Sequence, residues 1–297
     1  MGAATSRVEI EVSEHRFIVR QNLAKFLHFL QTHDSKRWYE YVWVDQLCID
    51  QANTVERNHQ VGSMAQIYRN SSELLIWLGP ASFFDKLAMP AMRFHYRVFR
   101  PEPTDVDVPS QSATRRFMRR VARFWLSVNY FSIGSVLDRT YWDRVWITQE
   151  LILRNPGTIF CRHLRCDKLQ LEAIFQHRLR SCGENYSVID PIRSWDWESA
   201  EESWYLGYLD LIVAVVRFGG RQCEDPRDRI FGLVGILRDD QKPTVDYSLP
   251  YQAVYAGVCN SICCHKDEYV PIERIDEDTG KALRILAREA QKLEDLN

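Results

Sequence analysis

Residues 41–79 read YVWVDQLCIDQANTVERNHQVGSMAQIYRNSSELLIWLG, and their patterning sets the fold expected of the whole chain. The β-branched and aromatic run YVWVD predicts a strand that ends in Asp45. TVERNHQVGSMAQIYRNS then places Val61, Met64, Ile67 and Tyr68 on one helical face. ELLIWLG is a continuous apolar run closed by Gly79 and Pro80, as suits a strand buried on both faces. Upstream, VEIEV and RFIVR read as a short strand pair within residues 7–20. Leu23, Phe26, Leu27 and Leu30 recur at helical spacing in NLAKFLHFLQ. Helix, strand, helix, strand in this order implies right-handed crossovers. The expected class is α/β, a flavodoxin-like, mostly parallel sheet with flanking helices.

Downstream, residues 81–112 read as less regular, with Pro101, Pro103 and Pro109 marking a loop. SATRRFMRRVARFWLSV is an amphipathic helix that gathers Arg115, Arg116, Arg119, Arg120 and Arg123 on one side. A further helix is predicted for YWDRVWITQELIL, with TIFC as a strand after it. Beyond about residue 165 the pattern turns helical, through EESWYLGYLDLIVAVVRF, DPRDRIFGLVGIL, YQAVYAGVCNSICC and DTGKALRILAREAQKLEDL. Asp225 is the expected N-cap of the second of these, with Pro226 at its first helical position. The expected organisation is an α/β core over residues 5–165 and a helical C-terminal region, 166–297, packed on it.

A formal net charge of -2 gives no global field toward nucleic acid or anionic membrane. The arginines of 115–123 can meet phosphate, anionic lipid or nucleic acid, but a solvated helix face is the favoured reading. The eight cysteines form no C-x-x-C pair and several lie in apolar runs, so they read as reduced core thiols. Cys161, His163 and Cys166 lack a fourth ligand at finger-like spacing, and no metal is expected. MGAATS fits the bare myristoylation pattern of Gly2 with Ser6, although a plain N-terminus is the preferred reading. No signal peptide opens the chain, and no run reaches the ~18 apolar residues of a membrane helix. YLGYLDLIVAVV is too short and holds Asp210. Neither G-x-x-x-x-G-K-S/T nor G-x-S-x-G occurs.

Four blocks resemble the fungal heterokaryon-incompatibility (HET) family: YVWVDQLCIDQ (41–51), ERNHQVGSMAQIYRNSSELLIWLG (56–79), YWDRVWITQE (141–150), and DPRDRIFGLVGI (225–236) with VDYSLPYQAVY (245–255). The first is similar to W-x-D-x-x-C-I-N/D-Q. The second is similar to E-R-x-x-Q-V-x-x-M-x-x-I-Y with an apolar run ending in W-L-G. The third is similar to W-x-R-x-W-x-x-Q-E. Asp50 stands where the family usually has Asn. The family's opening S-Y-x-W-G, which carries the first strand, has no counterpart here. The resemblance implies a cytoplasmic module of self/non-self recognition and programmed cell death. It also implies partners among other incompatibility or NLR-type proteins, or further copies of the chain. The HET family in turn resembles Toll/interleukin-receptor (TIR) domains, some of which cleave NAD with a Glu in a W-C-x-x-E block. Trp146 and Glu150 repeat that spacing.

On one continuous helix, Trp142, Trp146 and Glu150 at i, i+4 and i+8 share a face. Cleaving the nicotinamide–ribose bond builds positive charge on the ribose, which a fixed carboxylate stabilises. The leaving group is already cationic, so one carboxylate suffices where ordinary glycosidases need two. Glu150 is therefore the candidate catalytic residue of an NAD nucleosidase, with NAD as substrate and no resident cofactor. The competing reading pairs Glu150 with Arg144 or Arg154. Asp45, at a strand's carboxyl edge, is a candidate for the ribose hydroxyls or else a turn residue. Arg57, on the helix after Gln51, can meet a phosphate or pair with Asp45 or Asp50. Substrate contacts are thus assigned to Asp45, Arg57, Trp142, Arg144 and Trp146. The alternative function is non-catalytic, an interaction module that triggers death by self-association or partner binding.

Overall fold

The first element of the computed structural model, which describes residues 6–32, 41–99, 113–153, 156–171, 210–264 and 272–294, is the expected hairpin. β1 (Arg7–Val12) and β2 (His15–Arg20) pair antiparallel from Arg7↔Arg20 to Val12↔His15. Ser13 and Glu14 turn between them with φ of 49° and 67°. Two left-handed residues make a type I′ turn, whose twist matches that of the strands. The chain divides into two compact units: Met1–Ile49, Leu75–Arg139 and Pro156–Tyr186 in one, Asp50–Leu74, Thr140–Asn155 and Ser187–Asn297 in the other.

In the first unit, helix α1 (Gln21–Thr32) buries Phe26 and Phe29. They cluster with Phe160, while Leu23, Leu30, Leu75 and Trp77 pack around them. Ring centroids lie 5.2 Å apart for Phe29–Trp77 and 5.4 Å for Phe29–Phe160, in the range of attractive tilted pairs. β3 (Leu74–Trp77) buries Leu74 and Ile76 on one side and gives Leu75 and Trp77 to that cluster on the other, as its apolar run predicts. A mixed three-stranded sheet follows the order β3–β4–β5. In it β4 (Gly157–Cys161) and β5 (Leu164–Asp167) pair antiparallel from Thr158↔Asp167 to Cys161↔Leu164.

Two expectations are corrected here. YVWVD is not a strand: residues 41–44 carry no regular structure, and Asp45–Cys48 is a one-turn helix, α2. Leu47 N and Cys48 N donate to Val44 O, and Ile49 N donates to Asp45 O. Backbone groups spent on local turns leave nothing for a ladder, and propensity alone does not make a strand. Consequently the described residues form no doubly wound, mostly parallel TIR-like sheet, but an antiparallel pair and a mixed sheet of three. The class is mixed α/β.

Residues 83–99, expected to be irregular, form helix α4 (Phe83–Phe99) despite Pro90 in its interior. A reciprocal capping box starts it. Ser82 Oγ accepts from Asp85 N at 3.2 Å, and Asp85 Oδ2 accepts from Ser82 N at 2.6 Å. Burial of Ala88, Met89, Ala91, Met92 and His95 offsets the hydrogen bond lost at Pro90. Asp85, fully buried, is held by Arg139 at 2.6 Å and by Ser135 Oγ at 2.9 Å. Helix α5 (Ala113–Val128) is the expected Arg-rich helix, followed by α6 (Tyr130–Leu137). Pro101, Pro103, Pro109, Arg154 and the opening of EESWYLGYLDLIVAVVRF lie outside the described residues.

In the second unit, helix α3 (Thr54–Asn70) starts at Asn53, whose side chain accepts from Val55 N and Glu56 N. Its buried face of Val61, Met64, Ala65 and Tyr68 packs against α7 (Ile147–Leu153) and the turn Val234–Ile236. The helices Leu211–Phe218 and Tyr251–Cys264 pack on the long helix Ile272–Glu294. No helix among the described residues is long and apolar enough to cross a membrane.

Candidate functional site

The segment DPRDRIFG builds a polar centre inside the second unit. Asp225 Oδ1 accepts from Arg227 N at 3.0 Å, and the Arg227 guanidinium grips the same carboxylate at 2.9 and 2.8 Å. Burial pushes the Asp225 carboxyl up, but the Arg227 hydrogen bonds and charge, with Arg57, outweigh it and hold it below its ordinary range. Arg227 also donates to the carbonyls of Tyr247 and Leu249. The regular helix is short, Asp228–Phe231, and sets Ile230 and Phe231 in the core as expected.

Asp228 is where three sequence blocks meet. Its carboxylate accepts from Tyr247 Oη at 2.5 Å and from Trp146 Nε1 at 3.2 Å, and Arg57 lies 3.5 Å away. Burial raises the Asp228 pKa. Burial and the Asp228 charge raise that of Tyr247, so the phenol stays a donor. Arg57 bonds Asp225 at 3.0 Å and stacks on Tyr247, 3.4 Å from the ring centroid. Asn58 adds two contacts: its Oδ1 accepts from Tyr247 N at 2.8 Å, and its Nδ2 donates to Asp246 at 3.3 Å. Arg57 therefore pairs with Asp225 and Asp228, where the sequence offered Asp45 or Asp50.

The expected face of Trp142, Trp146 and Glu150 is not made by one helix. Thr140–Asp143 is a 3₁₀ turn, and α7 begins only at Ile147. Between them Gln222 N donates to Asp143 O and Val145 N donates to Gln222 O, an isolated bridge that takes the groups a continuous helix would use. Trp142 is buried at 3% exposure, and its carbonyl accepts from Arg221, as does that of Arg144. Trp146 gives its ring N–H to Asp228. Glu150 is half-buried and accepts from Tyr141 Oη at 2.5 Å. Burial and the adjacent Glu150 hold the Tyr141 pKa well above its usual value, so that phenol also remains a donor. Asp45 is exposed at the start of α2, where its own Oδ1 accepts from Gln46 N, and it belongs to the first unit. Five of the six assigned site residues thus fall in one unit, and Arg57 and Trp146 are joined there through Asp228. Asp228, Tyr247 and Asn58 were missed, although each lies in or beside a quoted block.

Gly235 explains why the blocks fit so closely. A Cβ there would stand 2.2 Å from Gln149 Oε1 and 2.9 Å from the Ala65 Cβ. Gln149 in turn donates to Phe231 O at 3.3 Å. A model of the family described as Heterokaryon incompatibility protein (HET) matches residues 2–150, half of the chain. The chain belongs to the heterokaryon incompatibility family. It is also 28% identical, over 137 residues, to "Heterokaryon incompatibility protein 6, OR allele" of Neurospora crassa. That alignment covers 40% of this chain and 20% of the relative, so the chain spans about a fifth of that protein's length. No solved structure matches. Three of the HET blocks lie inside the matched residues, and Asp228 and Tyr247 tie the fourth block to two of them.

Cys161 and Cys166 are buried in β4 and β5. Burial pushes the Cys161 thiol up to about 12 and raises that of Cys166 further, as suits thiols packed in a core.

Proposed function

We propose that this HET-family chain is a fungal incompatibility effector that triggers cell death by hydrolysing NAD, with Glu150 as the key carboxylate. The observation that carries the proposal is the pairing of Glu150 with Tyr141. A half-buried carboxylate held at 2.5 Å by a phenol that keeps its proton is fixed in place without being neutralised by it. Fixed negative charge of that kind stabilises an oxocarbenium-like ribose as the pyridinium–ribose bond breaks. The nicotinamide leaves neutral with the bonding pair and needs no general acid, and water adds to the ribose carbon and gives up its proton. The W-x-x-x-E spacing of Trp146 and Glu150, shared with NAD-cleaving TIR domains, supports the same reading. Within the second unit, Arg57, Trp142, Arg144 and Trp146 remain the proposed substrate contacts. Arg57 would exchange a carboxylate partner for the pyrophosphate, and Trp146 would have to serve by its ring face, since its N–H is engaged. The proposed module comprises residues 5–165 with the helical region 166–297 on it, in the cytoplasm. Other incompatibility or NLR-type proteins, or further copies of the chain, are its proposed partners.

The test is nicotinamide release from NAD by the purified full chain. Release is expected, with loss of activity in Glu150→Gln and a fall of about ten-fold in Tyr141→Phe, the worth of one hydrogen bond to a charged group. Intact NAD at high protein concentration overturns the proposal. The non-catalytic alternative predicts that Glu150→Ala still kills a fungal host as well as the unmodified chain does.

A further inference from the structure

Helix α5 carries an exposed apolar stripe beside its arginines. Phe117 is 64% exposed, Phe124 67% and Val128 65%. With half-buried Val121 they repeat at i, i+4, i+7 and i+11, a line of ~16 Å along one face. Met118 and Trp125, also exposed, widen that face on one side. Arg116, Arg120 and Arg123 run along the other, all exposed. On the opposite side Ala122 is buried, and the guanidinium groups of Arg119 and Arg123 each lie 5.7 Å from the Phe99 ring centroid. On α6 of the same unit, Phe131 is 75% exposed and meets Phe84 edge-on at 5.5 Å. Phe84 in turn meets the exposed Phe83 at 5.9 Å. Arginines on a solvated face need no explanation, but a contiguous set of exposed rings does.

We propose that this face of α5 docks in the plane of an anionic lipid surface. Between Asp107 and Asp138 the chain has no acidic residue and five arginines, in a protein whose net charge is -2. A stripe of one sign flanking a row of aromatic side chains matches a flat layer of phosphate headgroups over acyl chains. The rings enter the boundary, and the long arginine stems reach back to the phosphates. A protein partner is less well matched, because such interfaces concentrate their energy in a central anchor set in a pocket. Here the rings are strung along the outer face of a helix. The pairing of arginine with phosphate is salt-sensitive, and the insertion of the rings is not.

The full chain is tested by co-sedimentation with vesicles of phosphatidylcholine, with and without one-third phosphatidylserine. Binding to the anionic vesicles is expected to exceed binding to neutral ones at least ten-fold, at about one kcal/mol per basic residue near the surface. Arg116→Glu with Arg120→Glu should lower it by about 30-fold. Phe117→Ser with Phe124→Ser should lower it as well, and both pairs should leave the thermal melting curve unchanged, since all four side chains are exposed. Equal binding to neutral vesicles, or no loss in either variant, overturns the inference. So does a dimer in solution that Phe117→Ser with Phe124→Ser converts to a monomer while vesicles bind neither form, which assigns the face to a second copy. Binding of duplex DNA in place of vesicles, unaffected by the ring substitutions, overturns it too.

Discussion

Around β3, β4 and β5 the chain is held by backbone ladders and by a cluster of rings packed on one face of β3. Around residues 140–153 and 210–241 guanidinium groups that reach loop carbonyls add to the apolar core. Arg229 donates to Gly219 O and Arg221 O and pairs with Glu289 at 2.9 Å. Arg221 donates to Trp142 O and Arg144 O, and Arg227 to Tyr247 O and Leu249 O. Ladders repeat along the sequence and announce themselves as periodicity. An arginine that crosses to a carbonyl dozens of residues away leaves no period. The contrast shows why irregular segments such as 219–229 are well determined in space and poorly marked in sequence.

The largest expected effect tests whether arginine ties do replace ladders. Arg229→Met leaves the buried Glu289 carboxylate with Lys292 alone and strips the donor from the carbonyls of Gly219 and Arg221, and should cost about 2–4 kcal/mol by urea unfolding. Arg229→Met with Glu289→Met should recover only the part of that loss due to Glu289, since the two carbonyls stay without their donor. A single variant with a wild-type midpoint would break the comparison. Next comes Gly235→Ala. Its new methyl overlaps Gln149 and Ala65, so about 1–3 kcal/mol should be lost, with the midpoint of denaturation as the readout.

Acid response sharpens the picture of the polar centre. Asp225 has a lowered pKa in the fold, so its stabilisation is present above the ordinary carboxylate pKa of about 4 and is lost as pH falls through the lowered value. Asp228 has a raised pKa, so its ionisation costs stability, and that cost disappears as pH falls. Thermal melts between neutral and strongly acid pH should therefore flatten in Asp225→Asn and steepen in Asp228→Asn. Identical slopes in both would show that the two carboxylates do not oppose each other. The smallest effect expected is a gain. Gly62 sits exposed within α3 with nothing within 4 Å of an added Cβ, so Gly62→Ala should stabilise by about 0.5–1 kcal/mol. Set against Gly235→Ala, it separates backbone entropy from close packing at the same residue type.

The sequence by itself determined the elements whose signals are local. The hairpin, α1, α3, the buried strand β3 and the Arg-rich α5 follow from spacing. The HET blocks, and with them the family, were equally legible. α4 was readable as well, because Ser82 and Asp85 spell its capping box, although Pro101, Pro103 and Pro109 read as a loop beyond it. Tertiary structure alone decided the rest. YVWVD has the composition of a strand, yet its backbone hydrogen bonds close within residues 44–49. The run from Trp142 to Glu150 has helical spacing, yet Gln222 takes the backbone of Asp143 and Val145. Asp228 became the meeting point of Arg57, Trp146 and Tyr247 only when segments more than 150 residues apart in the chain were brought together. A backbone group bonds whichever partner the fold delivers, and that partner is set by the whole chain while propensity is set by its neighbours.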